Sequence, residues 1–187
     1  MDLGKMNDTA LILVDIQKGF DDLQYWGGNR NNPQAEENAS RILRHWRAKN
    51  RRIFHVRHNS TNPASKLAPG QRGNEINDLV TPFPSEPVIE KNVNSAFIGT
   101  DLQQRLDSLS IKSLVIVGLT TDHCVSTTVR MAANLGYRAF VISDATATFD
   151  KHLGGKKFDA ALIHETSLAS LEGEFATILT TDEILKT

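Results

Sequence analysis

Two stretches, ALILV at residues 10–14 and SLVIVG at 113–118, are apolar at almost every position and show no alternation. A strand whose successive side chains are all apolar must be covered on both faces, and that is the condition of a parallel sheet. Shorter runs of strand character follow at RIFHVR (52–57), PVIEK (87–91), RAFVIS (138–143) and FATIL (175–179). Helical periodicity fills the gaps. Ala35, Ala39, Ile42, Leu43 and Trp46 form one stripe within residues 34–49. Thr100 and Gln103 have capping-box spacing ahead of a helix carrying Leu102, Leu106 and Leu109 on one face. Val125, Val129, Ala132 and Ala133 mark the next helix, with Gly136 placed to end it. Phe158, Ala161, Leu162 and Leu168 predict another, and a short helix is expected near Thr180–Glu183. Strands alternating with helices predict an α/β fold, a mostly parallel sheet covered on both faces, in one domain over residues 1–187.

Composition excludes several classes. Hydrophobic residues make up 40% and charged residues 23%, ordinary proportions for a packed domain. The formal net charge of −1 provides no global field for nucleic acid or an anionic membrane, so neither is expected as a partner. The exception is local: RILRHWRAKNRRIFHVR, residues 41–57, holds seven Lys/Arg and no acid. It reads as a solvated helix face and turn, or as an anion-attracting rim or subunit contact. The single cysteine cannot form an internal disulfide, and no apolar stretch reaches signal-peptide or membrane-span length, so a cytoplasmic location is expected. Two segments interrupt the rhythm. Residues 26–33, WGGNRNNP, form a polar loop; residues 59–86 form a longer one, and five of the six prolines fall between Pro63 and Pro87. Long loops in a compact domain often build binding sites, and Trp26 and Phe83 are candidates for pocket walls.

Ligands of parallel α/β sheets bind beyond the carboxyl ends of the strands. At those ends stand Asp15, His55 and His58, Lys91, Gly118 followed by Cys124, and Asp144. Singly, each has an ordinary structural reading: a turn cap, a solvated lysine, a small buried thiol. Together, Asp15, Lys91 and Cys124 describe a nucleophilic site. A thiol attacks as thiolate, and a helix N-terminus and a nearby ammonium both favour that form, so a lowered thiol pKa is expected. Asp15 can take the proton and return it to a leaving amine. The product is a covalent acyl-enzyme, and backbone N–H groups in the 118–124 turn can hold the oxyanion.

The stretches ALILVDIQKGF, IEKNVNSAF and VGLTTDHCVSTTVRMAANLGY followed by VISDATATF resemble the isochorismatase-like cysteine hydrolases. The match spans about residues 9–182, in that family's order and spacing. The resemblance implies a six-stranded parallel sheet flanked by helices and a catalytic triad of Asp15, Lys91 and Cys124. It also implies a cis peptide at Leu119–Thr120, aiming the N–H groups of Thr120 and Cys124 at the oxyanion, and assembly as a homodimer or homotetramer. Position along the chain suggests Gln17, Phe20, Trp26, His58, Asn59, Phe97, Thr121 and His123 as substrate contacts, while Asp144 is expected to tie down a turn. Nicotinamidases of the superfamily carry an Asp-x-His plus His metal site after the second strand. The stretch here is HVRHNS, with no Asp, and His55 and His58 are three apart, so on one strand they face opposite sides. No metal and no cofactor are expected.

The reading from sequence is therefore a hydrolase that cleaves a C–N bond, amide or ureido, of a small molecule. One alternative is an isochorismatase-type enol-ether hydrolase with Asp15 as acid. Another is a non-catalytic binding protein on the same fold. A doubly wound nucleotide-binding domain is the weakest option, since DIQKGF follows the first strand where a glycine-rich turn would be required, and no P-loop is present.

Overall fold

Ala10, Leu11, Ile12, Leu13 and Val14 are all buried, as an unalternating apolar run requires. The computed structural model describes residues 8–187, and in it this run is β1 (Thr9–Val14), near the middle of a six-stranded sheet. The order is β3 (Val88–Lys91), β2 (Arg52–His58), β1, β4 (Ser113–Leu119), β5 (Arg138–Ala147), β8 (Thr177–Leu179), with every neighbouring pair parallel.

The period of two along each strand feeds two separate cores. Leu11, Leu13, Val115 and Val117 meet Ala39, Ile42, Leu43 and Trp46 of α2 (Ala35–Ala48), and Ile184 of α6 (Thr181–Ile184) joins them. Ala10, Ile12, Val14, Leu114 and Ile116 point the other way. They meet Leu102 and Leu106 of α3 (Leu102–Ser108), Val129 and Ala132 of α4 (Ser126–Asn134), and Leu168 of α5 (Ala160–Ala169). The result is the three-layer αβα architecture, helix on sheet on helix. Each fully buried Leu or Ile contributes about 1.5–3 kcal/mol to it.

Three local expectations need correction. Thr100 forms no capping box: its hydroxyl donates to the Ala96 carbonyl at 2.6 Å, Asp101 is the N-cap, and Leu109 is partly exposed. The capping box lies instead at Thr180 and Glu183, opening α6. Phe158 is not helical. It ends a small hairpin of β6 (Lys151–Leu153) and β7 (Lys156–Phe158), and Asp150 accepts from the Ala160 N–H at 2.8 Å, which sets where α5 starts. From that start the buried face is Ala160, His164 and Leu168, leaving Leu162 outside.

The irregular segments are fastened by side-chain amides. Asn32 donates to the Ser143 and Thr146 carbonyls, Asn31 accepts from the Thr148 N–H, and Asn29 donates to Asp150. These bonds stitch residues 29–32, just beyond the short helix α1 (Leu23–Trp26), onto the end of β5. In the 59–86 loop, buried Asn74 donates to the carbonyls of His58 and Leu67 and to Asn59 Oδ1. Trp26 and Phe83 do not share a pocket: Trp26 packs on Phe20 and Phe149, whereas Phe83 lines a cavity with Arg52, which opens β2, and Pro87, which precedes β3.

Candidate active site

Four adjacent strands, β3, β2, β1 and β4, end on the same edge, and each delivers one polar side chain there. Lys91 and His58 are direct ladder partners, the last pair between β3 and β2. Asp15 follows Val14, the last residue of β1. Alternation would send it toward the α2 face, but its φ of 51° turns the chain at that point. Cys124 lies in a single π-type turn, Thr121–Val125, between β4 and α4, and the peptide Leu119–Thr120 ahead of it is cis. Gly118 lets the two inner strands close up. A Cβ there would stand 1.9 Å from the Val14 carbonyl oxygen, and φ at Gly118 is 124°. Only glycine allows β4 to lie this close to β1 just before both strands present their functional groups.

The ammonium of Lys91 is at the centre. It donates to Asp15 Oδ2 at 2.6 Å and to Cys124 Sγ at 3.4 Å, and stands 3.1 Å from His58 Nδ1. Three donors thus meet three acceptors, the full capacity of a lysine. With Nδ1 accepting, His58 carries its proton on Nε2; burial first, and then Lys91, lower its pKa, so the ring is neutral. Asp15 is fully buried, and its second oxygen, Oδ1, has no hydrogen-bond partner. Burial raises the Asp15 pKa, and the Lys91 charge opposes that rise. The Cys124 thiol is also pushed up, by burial first and by the Asp15 charge second, against the pull of Lys91. This corrects the expectation of a lowered thiol pKa: desolvation and the Asp15 charge outweigh the ammonium. The resting thiol is therefore protonated, beside a carboxylate whose free oxygen can receive the proton.

The remaining candidates separate. Gln17 is buried and its amide is fully engaged, donating to the His58 and Asn74 carbonyls and accepting from the His58 N–H, so it clasps β1, β2 and the long loop together. Phe20 packs on Trp26 and Phe149, and the Trp26 indole donates to the Gly19 carbonyl at 2.7 Å. Phe97 stacks on Tyr137. Asn59 is bound to Asn74 and Glu90. Thr121 is buried and paired with His164 Nδ1 at 2.9 Å, which holds the nucleophile turn to α5. Thr120 is buried, and its carbonyl accepts from the His123 and Val125 N–H groups. His123 is exposed, 3.4 Å from Asp122. Asp144 accepts from the N–H and hydroxyl of Thr181, which ties α6 to β5. One residue escaped sequence reasoning: Asn94, whose Oδ1 is 3.8 Å from Cys124 Sγ. Its signal was its place three residues past Lys91, at a strand's carboxyl end.

His55 is turned away from His58 and bound to Glu86 at 2.9 Å, so the two histidines cannot chelate together. Asp15, His58 and Cys124 do offer ligand atoms within 4.8 Å of one another. The Lys91 ammonium, in contact with all three, takes the position a cation would need.

The family model for the isochorismatase domain matches residues 9–183. The chain belongs to the isochorismatase family. Among its members, the uncharacterized isochorismatase family protein YrdC of Bacillus subtilis is 50% identical over 94% of each chain. A crystal structure of a hydrolase of the isochorismatase family from Chromobacterium violaceum is 40% identical, with a TM-score of 0.93, covering 98% of this chain and 94% of that one. Two further relatives carry named activities. Nicotinamidase 3 of Arabidopsis thaliana is 29% identical over 94% of this chain and 86% of its own length. Ureidoacrylate amidohydrolase RutB of Variovorax paradoxus is 28% identical over 95% of this chain and 62% of its own length. This isochorismatase-family chain is thus a hydrolase by family, with relatives named for amide cleavage. Among the described residues no helix is long and apolar enough to cross a membrane.

Proposed function

We propose that this chain hydrolyses a C–N bond, amide or ureido, of a small molecule through a thioester on Cys124. The observation that carries the reading is the single ammonium touching both Asp15 and Cys124, at 2.6 and 3.4 Å. Asp15 Oδ1, buried without a partner, is the base: it takes the thiol proton as sulfur attacks the carbonyl carbon. Lys91 stabilises first the carboxylate and then the thiolate. The carbonyl oxygen becomes an oxyanion, to which the N–H groups of Thr120 and Cys124 are assigned. As the C–N bond breaks, Asp15 returns its proton to the leaving nitrogen, and the amine departs. Water then attacks the thioester, giving a proton to Asp15. Sulfur leaves as thiolate, is reprotonated, and the acid product is released. The relatives named for nicotinamide and ureidoacrylate support amide cleavage as the class. Cys124 is only 9% exposed, which favours a slender electrophile.

A second reading rests on the raised pKa of Asp15. A carboxyl that holds its proton could protonate an enol ether directly, as an isochorismatase would, with Cys124 a bystander. One experiment separates the two. Small amides, ureides, lactams and isochorismate are assayed with wild type and Cys124→Ala, and the intact protein is weighed after rapid quenching. Thioester chemistry predicts loss of at least ~1,000-fold in turnover and an acyl adduct on wild type alone. Retention of most turnover by Cys124→Ala sinks it.

A further inference from the structure

At the opposite end of the sheet from Cys124, a cavity of about 680 Å³ lies between the end of α2, the first residues of β2 and the loop before β3. That is the size of a small-molecule site. Its lining holds four arginines, Arg47, Arg51, Arg52 and Arg105, against one acid, Glu86. The chain as a whole carries a formal charge of −1, so this local excess does not reflect a basic protein.

The arginines differ in how they are held. Arg47 binds Glu86 through Nε and Nη2, each at 2.7 Å, and its guanidinium lies 3.7 Å over the Phe83 ring. These two charges cancel and make a fixed wall. Arg51 stacks on Trp46 and donates to the Thr187 carbonyl. Arg105 pairs with Asp101, which lies outside the cavity. Arg52 is exposed, and its side chain makes no hydrogen bond or ion pair among the described residues. Cationic groups gathered around one space repel each other unless an anion enters, and guanidinium forks match phosphate and carboxylate oxygens.

We propose that this cavity binds a small organic anion carrying two or more negative charges as phosphate or carboxylate groups. Arg52 and Arg105 take the charges, and Phe83 and Pro84 face the ligand's apolar part. The site is separate from the catalytic cluster: Asp15, Lys91 and Cys124 do not line it. It uses the beginning of β2, whereas His58 ends that strand, about 20 Å away at about 3.3 Å per residue.

The test is calorimetric titration of the full chain with pyrophosphate and, separately, with citrate. Wild type, Arg52→Ala/Arg105→Ala and Cys124→Ala are compared. Saturable binding of either anion is expected, weakened at least ~10-fold in the double variant and unchanged in Cys124→Ala. Pyrophosphate alone assigns the site to phosphates; both anions assign it to clustered charge of either kind. Should the double variant fold poorly, Arg52→Glu, at an exposed position, gives the same comparison. No heat with either anion overturns the proposal, as does binding that survives loss of the arginines or vanishes in Cys124→Ala. It is overturned too if the arginine variant instead dissociates a wild-type dimer, which makes the cavity a subunit contact.

Discussion

Lys91 holds three acceptors with three donors, and one of them, Asp15, has no exposure to water at all. Methionine would keep the apolar stem, one atom shorter, and remove the charge. Asp15 would then be a buried carboxyl with no cation beside it, and the desolvation that already raises its pKa would act unopposed. Asp15 must be ionised to accept the thiol proton. A raised pKa means that activity is lost as pH falls through a value above the ordinary carboxylate range. We expect Lys91→Met to lower kcat/KM by roughly 100- to 10,000-fold and to move the acid limb of the pH profile to higher pH. A rate profile over pH with wild type and variant reads both. An acid limb that stays in place would mean that another group is the base.

At the scale of elements, the contact between β4 and β1 is the tightest constraint on the site. Gly118→Ala would place a methyl group 1.9 Å from the Val14 carbonyl oxygen, a backbone atom with no rotamer to change. Gly136 also has positive φ, 88°, yet a Cβ there meets nothing within 4 Å. The pair separates conformational strain from collision. Gly136→Ala is expected to cost about 1 kcal/mol and Gly118→Ala about 3 kcal/mol or more, read from urea midpoints. Equal losses would show that β1 and β4 can move apart freely. The elements were also where the sequence spoke most clearly. The unalternating runs foretold two-sided burial, and the stripe from Ala35 to Trp46 foretold α2, because periodicity directly encodes which faces are covered. The hairpin around Gly154–Gly155 had a turn signal that its polar strands obscured. The buried face of α5 was unreadable because Asp150, ten residues before, sets the helix start. The site was half legible. Strand ends named Asp15, Lys91 and Cys124, but neither the clasp made by Gln17 nor the loss of thiolate character to burial leaves a mark in local spacing.

For the molecule as a whole, Glu86 joins parts far apart in sequence. It accepts from Arg47 of α2 and from the Phe83 N–H, and pairs with buried His55 of β2. It therefore fastens the end of the long loop to both a helix and a strand. Burial alone would raise its pKa, but the hydrogen bonds from Arg47, the Phe83 N–H and His55 outweigh that and bring it from 4.5 to about 2. A carboxyl depressed in the folded state stabilises the fold above its unfolded pKa, and the contribution disappears as pH falls through the folded value. At about 1.4 kcal/mol per pH unit, that shift corresponds to stabilisation on the order of 3 kcal/mol at neutral pH. Glu86→Gln retains the shape and most hydrogen-bonding capacity but cannot carry the charge. Its urea midpoint should fall well below wild type at neutral pH, and the gap should narrow from about pH 4.5 downward, nearly closing by about pH 2. A gap of constant size across that range would assign the loss to packing around the side chain. The charge linking α2, the loop and β2 would then contribute little to holding them together.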